Sequence, residues 1–442
     1  MLSIVLEHTF VYDRCVSSYK DGVVLSMSMT MAAKQARGKK QNDVIFAASS
    51  AAQSDIKLNG KDHVVNGTVG SILDEDGQIV FLQSVKEEYL HLPNNEYIAY
   101  APIAGLPEYL SAVYKACFED AKPDAYIDAV ATAGGTGGIH HLVHNYTALG
   151  DTVLTADWYW GNYKTICKDS GRILSTFTLL TDTNEFNIDS FKEEVMHLSK
   201  EQENLLILLN TPGNNPTGFS ISDTSWNEIL AFLSSLVAST TTKIILGVDV
   251  AYLDYAGEKH AVRQFFKKFS QLPKEILTVI CYSVSKGFTM YGQRLGAMIG
   301  ISSNQDVIDE FHEINAITSR ATWSNLCRPA QRTIANLVSD DKKFAAYEEE
   351  REAYNSLIHE RAAIFVEEAK SCGLPLLPYK GGFFLTIPTT QSTKICDALK
   401  EKHIYVIPLV KGIRVAACSI PKKQMKGLAL SIYETMKELH SL

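Results

Sequence analysis

Between about residues 95 and 330 the chain alternates short, continuous apolar runs with amphipathic stretches of helical length. The runs are Ala129–Thr132, Thr152–Thr155, Leu205–Leu209, Ile244–Val248, Leu277–Cys281 and Ala297–Ile301. Segments such as Thr136–Ala148 and Ser225–Val237 lie between them and read as helices. A strand that is apolar at every position has both faces covered, and strands separated by helices run parallel. The pattern predicts an α/β fold, with a mainly parallel sheet between two helical layers. Asp341–Ser371 then contains neither Pro nor Gly and reads as one long charged helix. Beyond it, Phe383–Ile387, Tyr405–Ile407 and Ile413–Ala417 read as strands, and Ser392–Glu401 and Pro421–His440 as helices. That block predicts a smaller α+β domain joined through the long helix. There is no internal repeat and no low-complexity tract.

Charge narrows the function. Lys plus Arg is 42 against 50 Asp plus Glu, a net −8. No overall basic field attracts nucleic acid or an anionic membrane. The eight cysteines stand singly, without a CxxC pair, so neither a zinc ribbon nor a redox dithiol is indicated. Scattered thiols fit a reducing compartment. The first residues lack a basic n-region and a long apolar core, so they do not read as a secretory signal, and a cytoplasmic location is expected. Residues 1–42 read as an N-terminal extension, with Met1, Met27, Met29 and Met31 and the basic Lys34, Arg37, Lys39 and Lys40. Met27, Met29 and Met31 are read as candidate starts of translation. Four basic residues in an acidic chain do not make a nucleic-acid arm.

Three motifs carry chemistry, each directly after an apolar run. The first is Ser283-Val284-Ser285-Lys286-Gly287-Phe288, continued by Tyr291-Gly292-Gln293-Arg294. Hydroxyls and a guanidinium suit a phosphate dianion. A lysine at a dehydrated strand end is an amine nucleophile for an aldehyde. Pyridoxal phosphate offers both groups, although a polar turn with a solvated lysine has the same letters. The second motif is Asn210-Thr211-Pro212-Gly213-Asn214-Asn215-Pro216-Thr217-Gly218, a loop where open α/β sheets bind ligands. The third is Asp249 in Val248-Asp249-Val250-Ala251-Tyr252. A carboxylate there suits a pyridinium nitrogen, or caps a helix.

The three motifs in this order resemble the class I aminotransferases of fold type I, the aspartate aminotransferase superfamily, over roughly residues 60–420. The resemblance implies a large domain with a mainly parallel seven-stranded sheet over 78–353 and a smaller α+β domain from 43–77 and 354–442. It implies pyridoxal 5'-phosphate, with Lys286 as the Schiff-base lysine and later the proton shuttle. Asp249 would pair with the pyridinium nitrogen, and Asn215 and Tyr252 with the ring's phenolic oxygen. Ser283, Ser285 and Arg294 would bind the phosphate. So would Gly135 and Thr136 of Ala133-Gly134-Gly135-Thr136-Gly137-Gly138, where a helix opens after a strand. This stretch is not a dinucleotide fingerprint, because His140 stands where Gly or Ala is required. Trp160 of Trp160-Gly161-Asn162 would stack on the ring, and Asn162 and Gly70 would contact substrate. Tyr100 would reach the phosphate of a neighbouring subunit. Arg414, in Gly412-Ile413-Arg414-Val415, would clamp the substrate α-carboxylate. Arg320, in Ser319-Arg320-Ala321-Thr322-Trp323, resembles the arginine that crosses the dimer to read a distal carboxylate.

The resemblance thus implies a homodimeric transaminase with shared sites, working by ping-pong half-reactions between an L-amino acid (aspartate, glutamate or an aromatic one) and a 2-oxo acid. It departs from the aspartate branch in two respects: the positions of the histidines behind the cofactor's aspartate look like Tyr163 and Asn210 here, and the loop Asn210–Gly218 is closer to that of other subgroups. Two other readings stand beside it, a lyase or decarboxylase using the same coenzyme, and a ligand-binding module of a transcription regulator. The second lacks a convincing helix-turn-helix in the first 60 residues. His140, His141 and His144 lack a nearby acidic ligand and read as helix packing rather than a metal site.

Overall fold

All six apolar runs become strands, each slightly longer than its run. The computed structural model describes residues 30–40 and 44–441; Met1, Cys15, Met27 and Met29 lie outside the described residues. In chain order the strands are β1 (Val65–Asn66), β2 (Tyr126–Thr132), β3 (Thr152–Ala156), β4 (Ile173–Phe177), β5 (Asn204–Asn210) and β6 (Lys243–Asp249). Then follow β7 (Ile276–Ser283), β8 (Gly296–Ser302), β9 (Phe384–Pro388), β10 (Ile404–Tyr405), β11 (Ile407–Pro408) and β12 (Gly412–Ala416). Seven of them form one sheet in the order β2-β8-β7-β6-β5-β3-β4. Only β8 runs against its neighbours, pairing antiparallel with β2 and β7. The seventh strand, β4, was not among the apolar runs. It lies at the sheet edge with Ile173 exposed and Ser175 and Thr176 in its sequence, so it has no reason to be apolar throughout.

Strand alternation divides the core. Leu205, Ile207 and Leu209 pack into one cluster with Trp226, Leu233 and Phe266. Leu206 and Leu208 pack on the opposite face with Leu142 and Val143 of the Gly134–Tyr146 helix. Side chains that point alternately up and down meet a helical layer on each side, as continuous apolar strands require.

The long helix runs from Asp341 to Cys372. Asp340 caps it, accepting from the Lys342 and Lys343 amides, and Gly373 ends it at φ +80°. After it, β9, β12 and β11 make an antiparallel sheet, and β1 pairs parallel with β10. A separate apolar cluster, including Phe365, Leu385, Ile395, Ile413 and Ile432, holds this part together. Two expectations need correction here. The run Tyr405–Ile407 is not one strand: Ile404–Tyr405 pairs with β1 and Ile407–Pro408 with β12, so the chain changes sheets between them. The helix expected over Pro421–His440 divides into Lys422–Met425 and Leu428–Glu438. Gly427 between them adopts φ +84°, which a right-handed helix cannot contain.

The chain divides into two compact units, Met1–Asp43 and Val44–Leu442. The described part of the first holds a single 3-10 turn at Lys34–Ala36, with Arg37 Nε donating to the Ala32 carbonyl at 2.9 Å. No helix among the described residues is long and apolar enough to cross a membrane.

Candidate active site

Three adjacent parallel strands end side by side: β5 at Asn210, β6 at Asp249 and β7 at Ser283. A cavity of about 170 Å³ opens between these ends and the start of the Gly134–Tyr146 helix. Carboxyl-terminal strand ends are where open α/β sheets hold ligands.

One end of the cavity is built from donors. Gly135, Thr136, Ser283, Ser285 and Arg294 line it. The Gly134–Tyr146 helix starts at Ala133 without a side-chain cap, so its first amides are open to an anion. Ser283 caps the next helix, Val284–Gly287, by accepting from the Ser285 amide. The Arg294 guanidinium lies 3.4 Å from the Ser285 hydroxyl and 3.0 Å from the Tyr291 carbonyl. Arg294 itself is left-handed, φ +50°, an uncommon conformation for a residue with a side chain. Gly134 adopts φ +68°, a conformation that favours glycine, and a Cβ there would stand 2.9 Å from that guanidinium.

The other end is a buried acid. Tyr163 Oη donates to Asp249 Oδ2 at 2.7 Å, and the Ala251 amide donates to Oδ1 at 3.1 Å. Burial raises the Asp249 pKa, against the lowering effect of the Tyr163 hydrogen bond, the Ala251 amide and the Lys286 charge. Asn210 ties the two neighbouring motifs together. Its Nδ2 donates to the Asp249 carbonyl at 2.9 Å, and its Oδ1 accepts from the Asn215 amide at 2.6 Å. Trp160 lines the cavity and stands edge-on to Tyr163, 5.7 Å between centroids.

Lys286 enters between the two ends. It is partly buried, and dehydration by its surroundings lowers its pKa to about 8. Its amine lies 5.1 Å from the Tyr291 ring centroid. Asn215 and Tyr252 complete the lining, with Asn215 Nδ2 donating to Tyr252 Oη at 3.1 Å. The peptide bonds before Pro212 and Pro216 of this loop are cis.

Arg414 comes from β12 and meets this loop. Its Nη1 donates to Asn215 Oδ1 at 3.3 Å and its Nη2 to the Thr68 carbonyl at 3.1 Å. The guanidinium lies 4.2 Å over the Phe384 ring, and a Cβ on Gly70 would stand 3.2 Å from that ring. Gly70, Arg414 and Asn215 are thus neighbours, although they are distant in sequence. Three named residues stand apart from the cavity. Tyr100 is 86% exposed, Asn162 is half-buried at a helix start, and Arg320 is exposed with its guanidinium 2.6 Å from Ser324 Oγ. His140 and His144 stack on each other, and the buried His141 stacks flat on Trp323, with burial lowering its pKa to about 3. One grouping of metal-ligand atoms, Glu119, Asp120 and His260, carries Arg263 and Lys267 on its carboxylates and does not line the cavity.

Sequence reasoning placed Tyr163 and Asn210 behind Asp249 but gave them no task. It passed over Tyr291, whose hydroxyl accepts from the Ile72 amide at 2.9 Å, and Phe384. Tyr291 lay in plain view within the lysine motif. Phe384 carried no signal beyond an apolar strand.

The family model described as aminotransferase class I and II matches residues 62–432. A solved structure of an aminotransferase from Anaerococcus prevotii is 37% identical, with a TM-score of 0.90 over 92% of this chain and 99% of its own. A cytoplasmic aspartate aminotransferase of Caenorhabditis elegans is 23% identical over 398 residues, 85% of this chain and 92% of its own. An aromatic-amino-acid aminotransferase of Burkholderia pseudomallei, solved covalently bound to pyridoxal phosphate, has the same fold at a TM-score of 0.75 and 20% identity, over 92% of this chain and 100% of its own. This chain belongs to the class I and II aminotransferase family. It is a pyridoxal-phosphate-dependent transaminase of class I with the type I fold, and the lyase alternative is not favoured. The cavity suits that coenzyme on its own evidence: an uncapped helix start and hydroxyls at one end, a buried carboxylate at the other, and an amine with a lowered pKa between.

Proposed function

We propose that Lys286 is the reacting amine of this transaminase, and that it moves nitrogen from aspartate, glutamate or an aromatic L-amino acid to a 2-oxo acid by a ping-pong sequence. The observation that carries the reading is the Lys286 pKa of about 8, in a cavity with phosphate donors at one end and Asp249 at the other. When bound, pyridoxal phosphate supplies an aldehyde for the amine and a ring that takes up electrons from the substrate's Cα. Gly135, Thr136, Ser283, Ser285 and Arg294 would hold its phosphate, with Tyr100 of a second copy. Asp249, kept in place by Tyr163 and the Ala251 amide, would hold a proton on the pyridine nitrogen. Asn215 and Tyr252 would hydrogen-bond the ring oxygen, and Trp160 would cover the ring. Arg414 would bind the α-carboxylate through both guanidinium nitrogens, orienting the Cα–H bond. Lys286 would then take the proton from Cα. Asn162 and Gly70 would border the substrate.

Arg320 points to dicarboxylates. It is exposed on this chain and stands apart from its own cavity, which fits a residue that acts in a neighbouring subunit. A homodimer is further supported by exposed apolar residues close in sequence to Tyr100 and Arg320: Ile98 at 85% and Ile317 at 70%. The separate apolar cluster of the C-terminal part supports a division into a larger lobe, 78–353, and a smaller one, 43–77 with 354–442. The net negative charge and single cysteines support a cytoplasmic location.

Borohydride reduction of the yellow holoenzyme, followed by peptide mapping, tests the core of this reading. The coenzyme should be fixed at Lys286, and Lys286→Ala should lose both the visible band and the label. Label at another lysine sinks the proposal. For the substrate, Arg320→Ala should lower kcat/KM for aspartate about a hundredfold more than for an aromatic donor, as expected for loss of a bidentate carboxylate contact. Equal losses would remove the dicarboxylate assignment.

A further inference from the structure

The stretch after β6 faces two ways. Asp249 and Tyr252 line the cavity, whereas Asp254 and Tyr255 do not and lie behind the helix that carries Lys286. That helix, Val284–Gly287, is only four residues long, and the Lys286 carbonyl at its end accepts from the Thr289 amide at 3.1 Å. Two buried phenols add side-chain donors to the carbonyls of this turn. Tyr255 Oη donates to the Lys286 carbonyl at 3.3 Å, and Tyr347 Oη donates to the Gly287 carbonyl at 3.2 Å. A Cβ on Gly287 would stand 2.2 Å from Asp254 Oδ2, so the carboxylate rests against the residue next to the lysine. Asp254 Oδ1 in turn receives Arg263 and, at 3.1 Å, Arg351.

Tyr347 and Arg351 are four residues apart on the Asp341–Cys372 helix and share a face. The Tyr347 ring stacks on Phe288 at 4.4 Å, and the Arg351 guanidinium lies 5.4 Å over the Tyr347 ring. Asp254, Arg263, Arg351, Tyr255 and Tyr347 are all buried. A buried carboxylate between two guanidinium groups is poor value as a source of stability, because dehydrating the charges offsets their attraction. Its geometry is what is definite.

We propose that Tyr255 and Tyr347, backed by Asp254 between Arg263 and Arg351, are positioning residues that fix the backbone from which Lys286 reaches into the cavity. The inference rests on the reading of Lys286 as the reacting amine. A lysine side chain has several rotatable bonds, so the place of its amine depends on where its backbone is held. An error of about 1 Å in such a group costs about a hundredfold in rate.

The test uses holoenzymes carrying Tyr255→Phe, Tyr347→Phe and both. Phenylalanine keeps the ring contacts and removes only the donors. Five quantities are read: borohydride labelling of Lys286, the pH midpoint of the coenzyme's visible band, kcat, KM and the thermal midpoint. The double variant should still label at Lys286. Its band midpoint should move by about half a pH unit or more, and kcat should fall about ten- to a hundredfold with KM near the wild-type value. A lowered thermal midpoint with unchanged kcat and band midpoint would overturn the proposal, because the phenols would then be structural only. If the double variant does not fold, each single variant is held to the same criteria. Wild-type protein that fails to label at Lys286 removes the reading of the site, and this inference with it. Labelled wild type beside unaltered variants removes this inference alone.

Discussion

At the scale of the residue, Lys286 has a testable proton affinity. Burial lowers its pKa to about 8 from 10.5, with the Arg294 and Arg414 charges adding to the effect. Below that value the amine is protonated and cannot attack an aldehyde. In the coenzyme-free protein, labelling of Lys286 by an amine reagent should therefore rise with pH and reach half its limit near pH 8. A midpoint near 10.5, the ordinary lysine value, would contradict the burial argument. The linkage has a definite sign. Between pH 8 and 10.5 the unfolded chain binds more protons at this group than the folded one, so the coenzyme-free protein gains stability as pH rises through that window. Most of the site was legible at this scale because its motifs are local. Ser283, Ser285, Lys286 and Arg294 fall within twelve residues, and the loop around Asn215 is marked by its own Pro, Gly and Asn. Tyr163 was placed behind Asp249 only through the resemblance, and its hydrogen bond was not legible, because the two residues are 86 positions apart and no local pattern marks the pair.

At the scale of the element, what could be read depended on burial. Strands covered on both faces leave continuous apolar runs, and six of the seven strands in the main sheet were read that way. β4 was invisible because an edge strand needs no such run. The break at Gly427 was also missed. A lone glycine in a helical pattern is tolerated in one place and ends the helix in another, and only the φ of +84° decides which. Contact between elements makes a second glycine informative. Gly382 adopts φ +84°, donates to the Tyr255 carbonyl at 2.7 Å, and lies against Gly213 of the Asn215 loop. A Cβ there would stand 2.9 Å from the Gly213 carbonyl oxygen. Gly382→Ala should cost about 1–3 kcal/mol through strain and overpacking. Urea unfolding of the two proteins under identical conditions measures it, and a change below a few tenths would show that the two backbones separate freely.

At the scale of the whole molecule, the arrangement of parts was readable and their joins were not. The long charged helix and the α+β block after it followed from composition and periodicity. The parallel pairing of Val65–Asn66 with Ile404–Tyr405 joins residues more than 300 positions apart and leaves no local trace. The surface carries the remaining prediction. Ile98 and Ile317 are apolar and exposed, as is Tyr100, which the proposed site needs from a second copy. If the protein is the proposed homodimer, Ile98→Asp should convert it into a species of half the mass by light scattering, with loss of activity. Wild-type protein that is monomeric and fully active would refute the shared site.

The order of strands in the main sheet has a consequence for redesign. β8 follows β7 and returns antiparallel beside it, with Ser283 opposite Gly296. The twelve residues between them carry the lysine, the second serine and the arginine of the proposed phosphate site. Their two ends are tied to each other by the sheet, so the segment forms a closed cassette. Such a cassette should graft between relatives as a single piece, provided its length is kept and the recipient carries phenols where Tyr255 and Tyr347 stand here.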